Sequence, residues 1–397
     1  MTQLLKQGPV NVRLRAKVWR GWKKIPVVTA DLKGRTEDDF VLLSGHIDSW
    51  FYGAMDNGSA NATMLEVARI LAEHRSALRR GIRLAFWSGH SHGRYSGSTW
   101  YADNFWEDLH EHCIAHVNVD SPGAVGSTVL TEAFVMAEAK DFASSAVKHV
   151  SGQQLSGHRF SRAGDQSFWG LGIPAIFMSL SEQPPSESKI AAFVFGPHSG
   201  GLGWWWHTRG DTIDKIDPEF LARDTKVYLL LIWQLCTLSL LPFNYAATVA
   251  EIERRLKELQ TRASGQFDVT ALIDKARSLK DSITRLNRET ERLRKRIKAK
   301  AAKERIAGIN ETLKMLGRLL IPINYSKVGP FDHDLAVPIP PLPLLDRIDD
   351  LAKLKPESDE FQFLATRLRR ESNKVAHALH EAEKITTKTI KGLRVGH

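Results

Sequence analysis

The chain has 397 residues, 43% hydrophobic and 25% charged, with a net charge of +10 and two cysteines. At roughly 150 residues per domain this gives two or three domains of ordinary globular composition. It excludes a disordered or collagenous chain, and with only Cys113 and Cys236 it excludes a disulfide scaffold or a cysteine-built zinc knuckle. Any metal site must be built from His and carboxylates.

Met1 to Lys6 carries no apolar signal core. Val10 to Trp19 alternates (Val12, Leu14, Ala16, Val18) and is expected as a strand that pairs with Val27 to Leu32. Phe40 to Leu43 is a short buried strand leading into Ser-Gly-His. Ala60 to Glu73 has helical spacing. Ile82 to Trp87, Cys113 to Val119 and Ala175 to Met178 are further apolar strands. Strands alternating with helices predict an α/β fold, a sheet flanked by helices, with functional groups just beyond the carboxyl ends of the strands. The apolar run Val227 to Leu241 is interrupted by Gln234, Thr237 and Ser239. It is short of the about 20 residues of a membrane span and reads as a buried helix. With no signal core and no span, the expected location is cytoplasmic.

After Pro242 the character changes. Ala246 to Leu319 is rich in Leu, Lys, Arg and Glu and reads as two or three long helices. A Pro-rich crossover, Ile321 to Leu345, precedes another helix at Phe361 to Ile385. The expected division is a catalytic domain over 1–242 and an all-helical domain over 243–397. The basic stretch Arg285 to Arg305 is interrupted by Glu289, Glu291 and Glu304 and lacks aromatics for base stacking, so it reads as a solvated helix face, not a nucleic-acid site.

Four segments carry chemistry. Gly45-His46-Ile47-Asp48-Ser49 follows a strand: His46 offers a ring nitrogen, and Asp48, on the same face in extended backbone, can orient the ring. Asp56-Asn57-Gly58-Ser59 opens the next helix, where Asp56 serves either as a cap or as a carboxylate bridging two metals. Asn118-Val119-Asp120 ends an apolar strand, and Trp206-His207-Thr208-Arg209-Gly210-Asp211-Thr212 places a His in a loop before a helix. His, Asp, Asp and His at strand ends and loops are the set that two metals about 3.5–4 Å apart require.

In this order the motifs resemble those of the co-catalytic zinc exopeptidases, which include bacterial aminopeptidases, glutamate carboxypeptidase II and the transferrin receptor. Gly164-Asp165-Gln166-Ser167-Phe168 and Gly172-Ile173-Pro174-Ala175 are similar to that family's later segment. The resemblance spans Val10 to Leu241. It implies that His46 and Asp120 hold one metal, Asp56 bridges, His207 holds the second, and Asp48 orients His46. It implies zinc, two ions or another divalent pair, and a substrate contact at Asp165; of Trp204, Trp205 and Trp206, two are expected as core and Trp206, directly before His207, as a substrate contact. The helical tail resembles more loosely the dimerisation domain of the carboxypeptidase and receptor branch, and implies a homodimer.

Two departures stand out. The family's adjacent glutamates, a general base and a metal ligand, are replaced by His90-Ser91-His92. Counted from Trp87, His90 takes the base position; counted back from Gly97-Ser98, His92 takes the ligand position. In an extended loop both would face one cleft, and at least one of His90 and His92 is expected as a metal ligand, with the pair doing ligand and base work or ligand work alone. Relatives in this branch carry a protease-associated domain before or within the catalytic domain; the sequence leaves no room for one before Val10, so a natural short form, a fragment or one subunit of a split enzyme is expected. The expected function is a binuclear metallohydrolase, an exopeptidase or small-molecule amidase, cleaving a peptide or amide bond with no nucleic acid or membrane as partner. The alternative is a receptor-like, noncatalytic relative.

Overall fold

The computed structural model describes Gln3 and residues 6–160, 162, 164–177, 179–185, 198–294 and 300–394. One mixed sheet holds β1 (Val28–Leu32), β2 (Phe40–His46), β3 (Gly81–Trp87), β4 (Cys113–Asn118) and β5 (Ala175–Ile176), in the order β1-β3-β2-β4-β5. β1 runs antiparallel along β3 at the edge; the other pairs are parallel. All seven residues of β2 are buried, as suits a strand with parallel neighbours on both sides and helices over its faces. The parallel register sets His46 beside Trp87 and Ser44 beside Asn118, so these strands end together at one rim.

Helices α1 (Ala60–Glu73), α2 (Ser96–Asn104), α3 (Trp106–His112), α4 (Lys140–Ser151) and α5 (Pro218–Thr237) flank the sheet. Asp217 starts α5 by accepting the backbone N–H groups of Glu219 and Phe220, with Pro218 in the first turn. The apolar run in α5 buries Val227, Leu231, Ile232 and Leu235. Among the described residues no helix is long and apolar enough to cross a membrane.

Beyond Pro242 come α6 (Tyr245–Arg262), α7 (Thr270–Arg294), α8 (Lys300–Tyr325) and, after the Pro-rich crossover, α9 (Asp359–Arg394). α8 continues through Pro322, which lies in its last turn. There its ring removes one i→i−4 hydrogen bond close to the helix end. The apolar core is continuous, from Val41, Ile82 and Val117 in the sheet through Leu231 of α5 to Ile252, Leu316 and Leu379 of the later helices. Arg318 of α8 reaches back into the α/β unit and donates to the carbonyls of His110, Cys113 and Gly172 at 2.7, 2.7 and 2.9 Å.

The N-terminal expectation is overturned. Residues 9–27 form no strand, and β1 takes β3 as its partner instead. Val12, Leu14, Val18, Trp19 and Trp22 all lie exposed. Alternation makes a strand only where a neighbour covers its apolar side, and none does here. The expected strand at Ala175 to Met178 is seen at Ala175–Ile176, with Met178 outside the described residues. Of the basic stretch, 295–299 also lie outside them.

Glu138 lies buried where the two regions meet, accepting Thr248 Oγ1 at 2.7 Å, while its own carbonyl accepts Asn244 N–H. Burial pushes its carboxyl up to about 7, and the Thr248 hydrogen bond only partly opposes this. The folded chain therefore holds a proton that the unfolded chain releases near the ordinary glutamate value. The associated stability is present below about 4.5 and is lost as pH rises through the folded value. Glu138→Gln should be more stable than wild type at pH 8 by on the order of 2 kcal/mol, and close to it at pH 4.5. Urea midpoints at the two pH values check this; equal pH dependence in both proteins would refute it.

Candidate metal centre at the strand ends

The rim formed by β2, β3 and β4 gathers the predicted residues. His46 is the last residue of β2 and is buried. Its Nε2 lies 2.9 Å from Asp56 Oδ1 and 3.7 Å from Asp120 Oδ2. Asp56 reaches the other way too, with Oδ2 3.1 Å from His207 Nε2. One buried carboxylate thus stands between two imidazoles, and Asp120, just past β4, completes the group.

Backbone clamps fix these side chains. Asp56 does not cap α1; it sits in the irregular turn Ala54–Ser59 before that helix. Asp211 accepts the N–H groups of Met55 and Asp56 at 2.8 and 3.0 Å, one on each oxygen. Asn57 donates to Val119 O and accepts Ser121 N–H, tying the Asp56 turn to the Asp120 strand end. Asn61 donates to the carbonyls of both His46 and Asn57. His207 holds φ at 60°, a left-handed conformation uncommon for His. Its ring stacks on Trp206 at 3.8 Å. Asp211 and the two asparagines were not read from sequence, because each acts on backbone that only the folded loops bring near.

The electrostatics favour positive charge between the acids. Burial opposes charge on His46, but Asp120 and Asp56 outweigh it and lift its pKa well above the ordinary imidazole value. Burial would raise the Asp56 carboxyl, yet His207 and His46 outweigh that and lower it.

Asp48 acts differently from the expectation. His46 Nδ1 bonds its backbone carbonyl at 2.7 Å, while the carboxylate stands 3.8 Å from that nitrogen. The carboxylate instead accepts the N–H groups of His90 and Ser91, both at 3.3 Å. A carboxylate fits two adjacent amides better than a ring nitrogen its own backbone already serves.

The His90–His92 segment is a turn, not an extended loop, so the two rings part. His90 stacks on His46, centroids 3.8 Å apart and planes 10° from parallel. Donor atoms of His46, His90 and Asp120 lie within 4.8 Å of one another. His92 is exposed and leans against Trp50, which also faces His207 at 5.6 Å. Asp165, expected at the substrate, is fully buried behind His90, its Oδ2 2.9 Å from His90 Nδ1. Of the three tryptophans, Trp205 is core, Trp206 is partly covered and Trp204 is exposed.

Comparison with known proteins shows what the chain is similar to. The chain is 26% identical over 280 residues to a probable glutamate carboxypeptidase of Zea mays, covering 67% of this chain and 38% of that protein. It is 31% identical over 131 residues to an aminopeptidase of Mus musculus, covering 32% and 17%. The chain therefore spans well under half the length of these relatives. Among solved structures, an aminopeptidase from an Aneurinibacillus strain matches with a TM-score of 0.43 and 25% identity, over 52% of this chain and 47% of that one. The model of peptidase family M28 matches residues 27–232, which carry the sheet, His46, Asp56, Asp120 and His207, and the chain belongs to that family.

Proposed function

We propose that the chain is a zinc-dependent hydrolase of peptide or small amide bonds. The observation that carries this reading is Asp56, buried and within 3.1 Å of imidazoles on both sides. Two imidazoles and two carboxylates suit zinc. The buried Nε2 of His46 faces Asp56 Oδ1 at 2.9 Å and Asp120 Oδ2 at 3.7 Å, an arrangement that fits donors gathered around a cation. In this reading His46, Asp56 and Asp120 hold one ion, and Asp56 and His207 hold a second. When bound, zinc supplies Lewis acidity at the scissile carbonyl and makes water easier to deprotonate.

The chain's own residues do the rest. Asp211 keeps Asp56 in place, Asp48 fixes the start of the His90 turn, and Trp50 and Trp206 wall the opening where substrate enters. The region over 243–397 serves as a dimerisation domain to the catalytic region over 1–242. A subunit supplying a protease-associated domain would complete the substrate site. Elemental analysis should find zinc in the purified chain, and His207→Ala should lose at least one equivalent. Hydrolysis of aminoacyl anilides or N-blocked dipeptides should accompany the zinc, and light scattering should give a dimer. A metal-free, inactive wild type would turn the reading towards a noncatalytic relative.

A further inference from the structure

The metal centre makes no use of the arm ahead of β1. Residues 1–30 hold seven of the chain's 55 Lys and Arg and none of its 45 Asp and Glu. Six of these cations, Arg13, Arg15, Lys17, Arg20, Lys23 and Lys24, are crowded between positions 13 and 24. Every residue from 11 to 26 is exposed. Among the described residues none of the six cations has an ion-pair partner; Lys17 Nζ lies 4.9 Å over the Trp19 ring. Elsewhere such charges are paired: Arg69 holds Glu66 and Glu73, and Asp31, the first acid in the chain, is taken by Arg83.

The same arm carries Val12, Leu14, Val18, Trp19 and Trp22, with Leu14 93% and Trp19 79% exposed. In extended backbone Val12, Leu14, Ala16 and Val18 share one face, and Arg13, Arg15 and Lys17 the other. Whatever covers this segment must offer both negative charge and an apolar layer. A nucleic-acid strand meets the charge and can stack on the tryptophans, but it offers nothing to Val12, Leu14 and Val18. Protein interfaces are depleted in Lys, and the arm forms no element that would give a protein partner a preformed face. The headgroup layer of an anionic bilayer meets every demand. Lys and Arg settle among its charges, apolar side chains enter about 5–10 Å into the acyl boundary, and Trp favours that boundary. The backbone stays in the hydrated layer, where its N–H and C=O groups keep water.

We propose that residues 10–24 dock this protein peripherally on an anionic lipid surface. The expectation of no membrane partner rested on the want of a span, and peripheral docking needs none. The root of the arm decides what docking does. Val28 of β1 stands opposite Phe86 of β3, and the next residue of β3, Trp87, pairs with His46. A Cβ added to Gly89 would lie 2.8 Å from Ile25 Cδ1, so the arm passes against the start of the His90 turn. Docking therefore tethers to the bilayer the rim that carries the metal centre, not the far end of the sheet.

The test is co-sedimentation of the full chain with sucrose-loaded vesicles, with a vesicle-free control for self-association. At about 0.1 M salt the wild type should bind vesicles of about 30% phosphatidylserine in phosphatidylcholine, and bind phosphatidylcholine alone at least about 10²-fold less. Arg13→Gln/Arg15→Gln/Lys17→Gln should weaken binding about 10²-fold, each basic residue near such a surface being worth about fivefold. Trp19→Ala/Trp22→Ala, with the charge intact, should weaken it by about tenfold or more, because less apolar area is buried. Both sets of changes fall on exposed residues, so the wild-type urea midpoint should persist in each. No binding to the anionic vesicles, or equal binding to neutral ones, would overturn the proposal. Binding that survives both variants would lie elsewhere, on the basic stretch 285–305, and overturn it too. Full-strength binding by Trp19→Ala/Trp22→Ala would reduce the arm to a plain polycation, with no insertion into lipid. Tighter binding of oligo(dT) or polyglutamate than of the anionic vesicles, lost in the same variants, would assign the arm to a nucleic acid or an acidic protein instead. The hydrolase reading is decided separately, by the zinc measurements.

Discussion

Asp56→Ala should strip zinc from the protein and lower hydrolysis by about 10³-fold or more. The magnitude follows from the chemistry at stake: Lewis-acid stabilisation is worth several kcal/mol, and each 1.36 kcal/mol is about a decade in rate. Asp56 is the side chain both imidazoles share, so its loss removes a donor from each half of the site at once. Asp211→Asn makes the informative contrast. Its side chain can still accept one of the two amides but not both, so the Asp56 turn loosens while every ligand remains. Zinc affinity should then fall about 10–100-fold, the usual effect of an outer-shell change. Titration of metal-stripped protein with zinc measures both. If Asp56→Ala keeps its zinc, the metal centre has been placed at the wrong residues.

Arg318→Met should be the most destabilising single change outside the site. The guanidinium is almost wholly buried and donates to the carbonyls of His110, Cys113 and Gly172. Met fills a similar volume but donates nothing, leaving three buried acceptors unpaired at about 1–3 kcal/mol each. Some relaxation and water entry will reduce the sum, and about 3–5 kcal/mol is expected. Lys should recover only part of this, because one ammonium cannot reproduce the planar fork. The backbone cannot easily close up, since Gly172 holds φ at 74° and a Cβ there would lie 2.4 Å from Arg318 Cα. A shift in the urea midpoint below the equivalent of 1 kcal/mol would show that the carbonyls find other donors.

What was legible in the sequence follows a physical line. His46 and Asp120 could be placed because each directly follows an apolar run, and strands ending at one rim put such residues together. Asp56 and His207 were found by type and order, although their loops obey no period. The atom through which Asp48 acts was not legible: a two-residue offset puts carbonyl and carboxylate equally within reach, and only the neighbouring turn decides between them. The His90–His92 pair failed for a related reason. Two residues apart means one face only in extended backbone, and Gly89 with φ 77° and Arg94 and Tyr95 with φ 47° and 69° make this segment a turn. Asp165 was expected as a substrate contact, but it lies buried against His90, a placement that depends on contacts made 75 residues away in sequence.

The bare stretch before β1 has a consequence for how the protein behaves in salt. Val12, Leu14, Val18, Trp19 and Trp22 face solvent beside a strand that ends its sheet, a layout that invites pairing between molecules. Arg13, Arg15, Lys17, Arg20, Lys23 and Lys24 interleave with them, and their mutual repulsion opposes that pairing. The repulsion reaches about 30 Å at 0.01 M ionic strength but only about 8 Å at 0.15 M. Colloidal stability should therefore decline as ionic strength rises, the reverse of a protein whose self-association is driven by ion pairs.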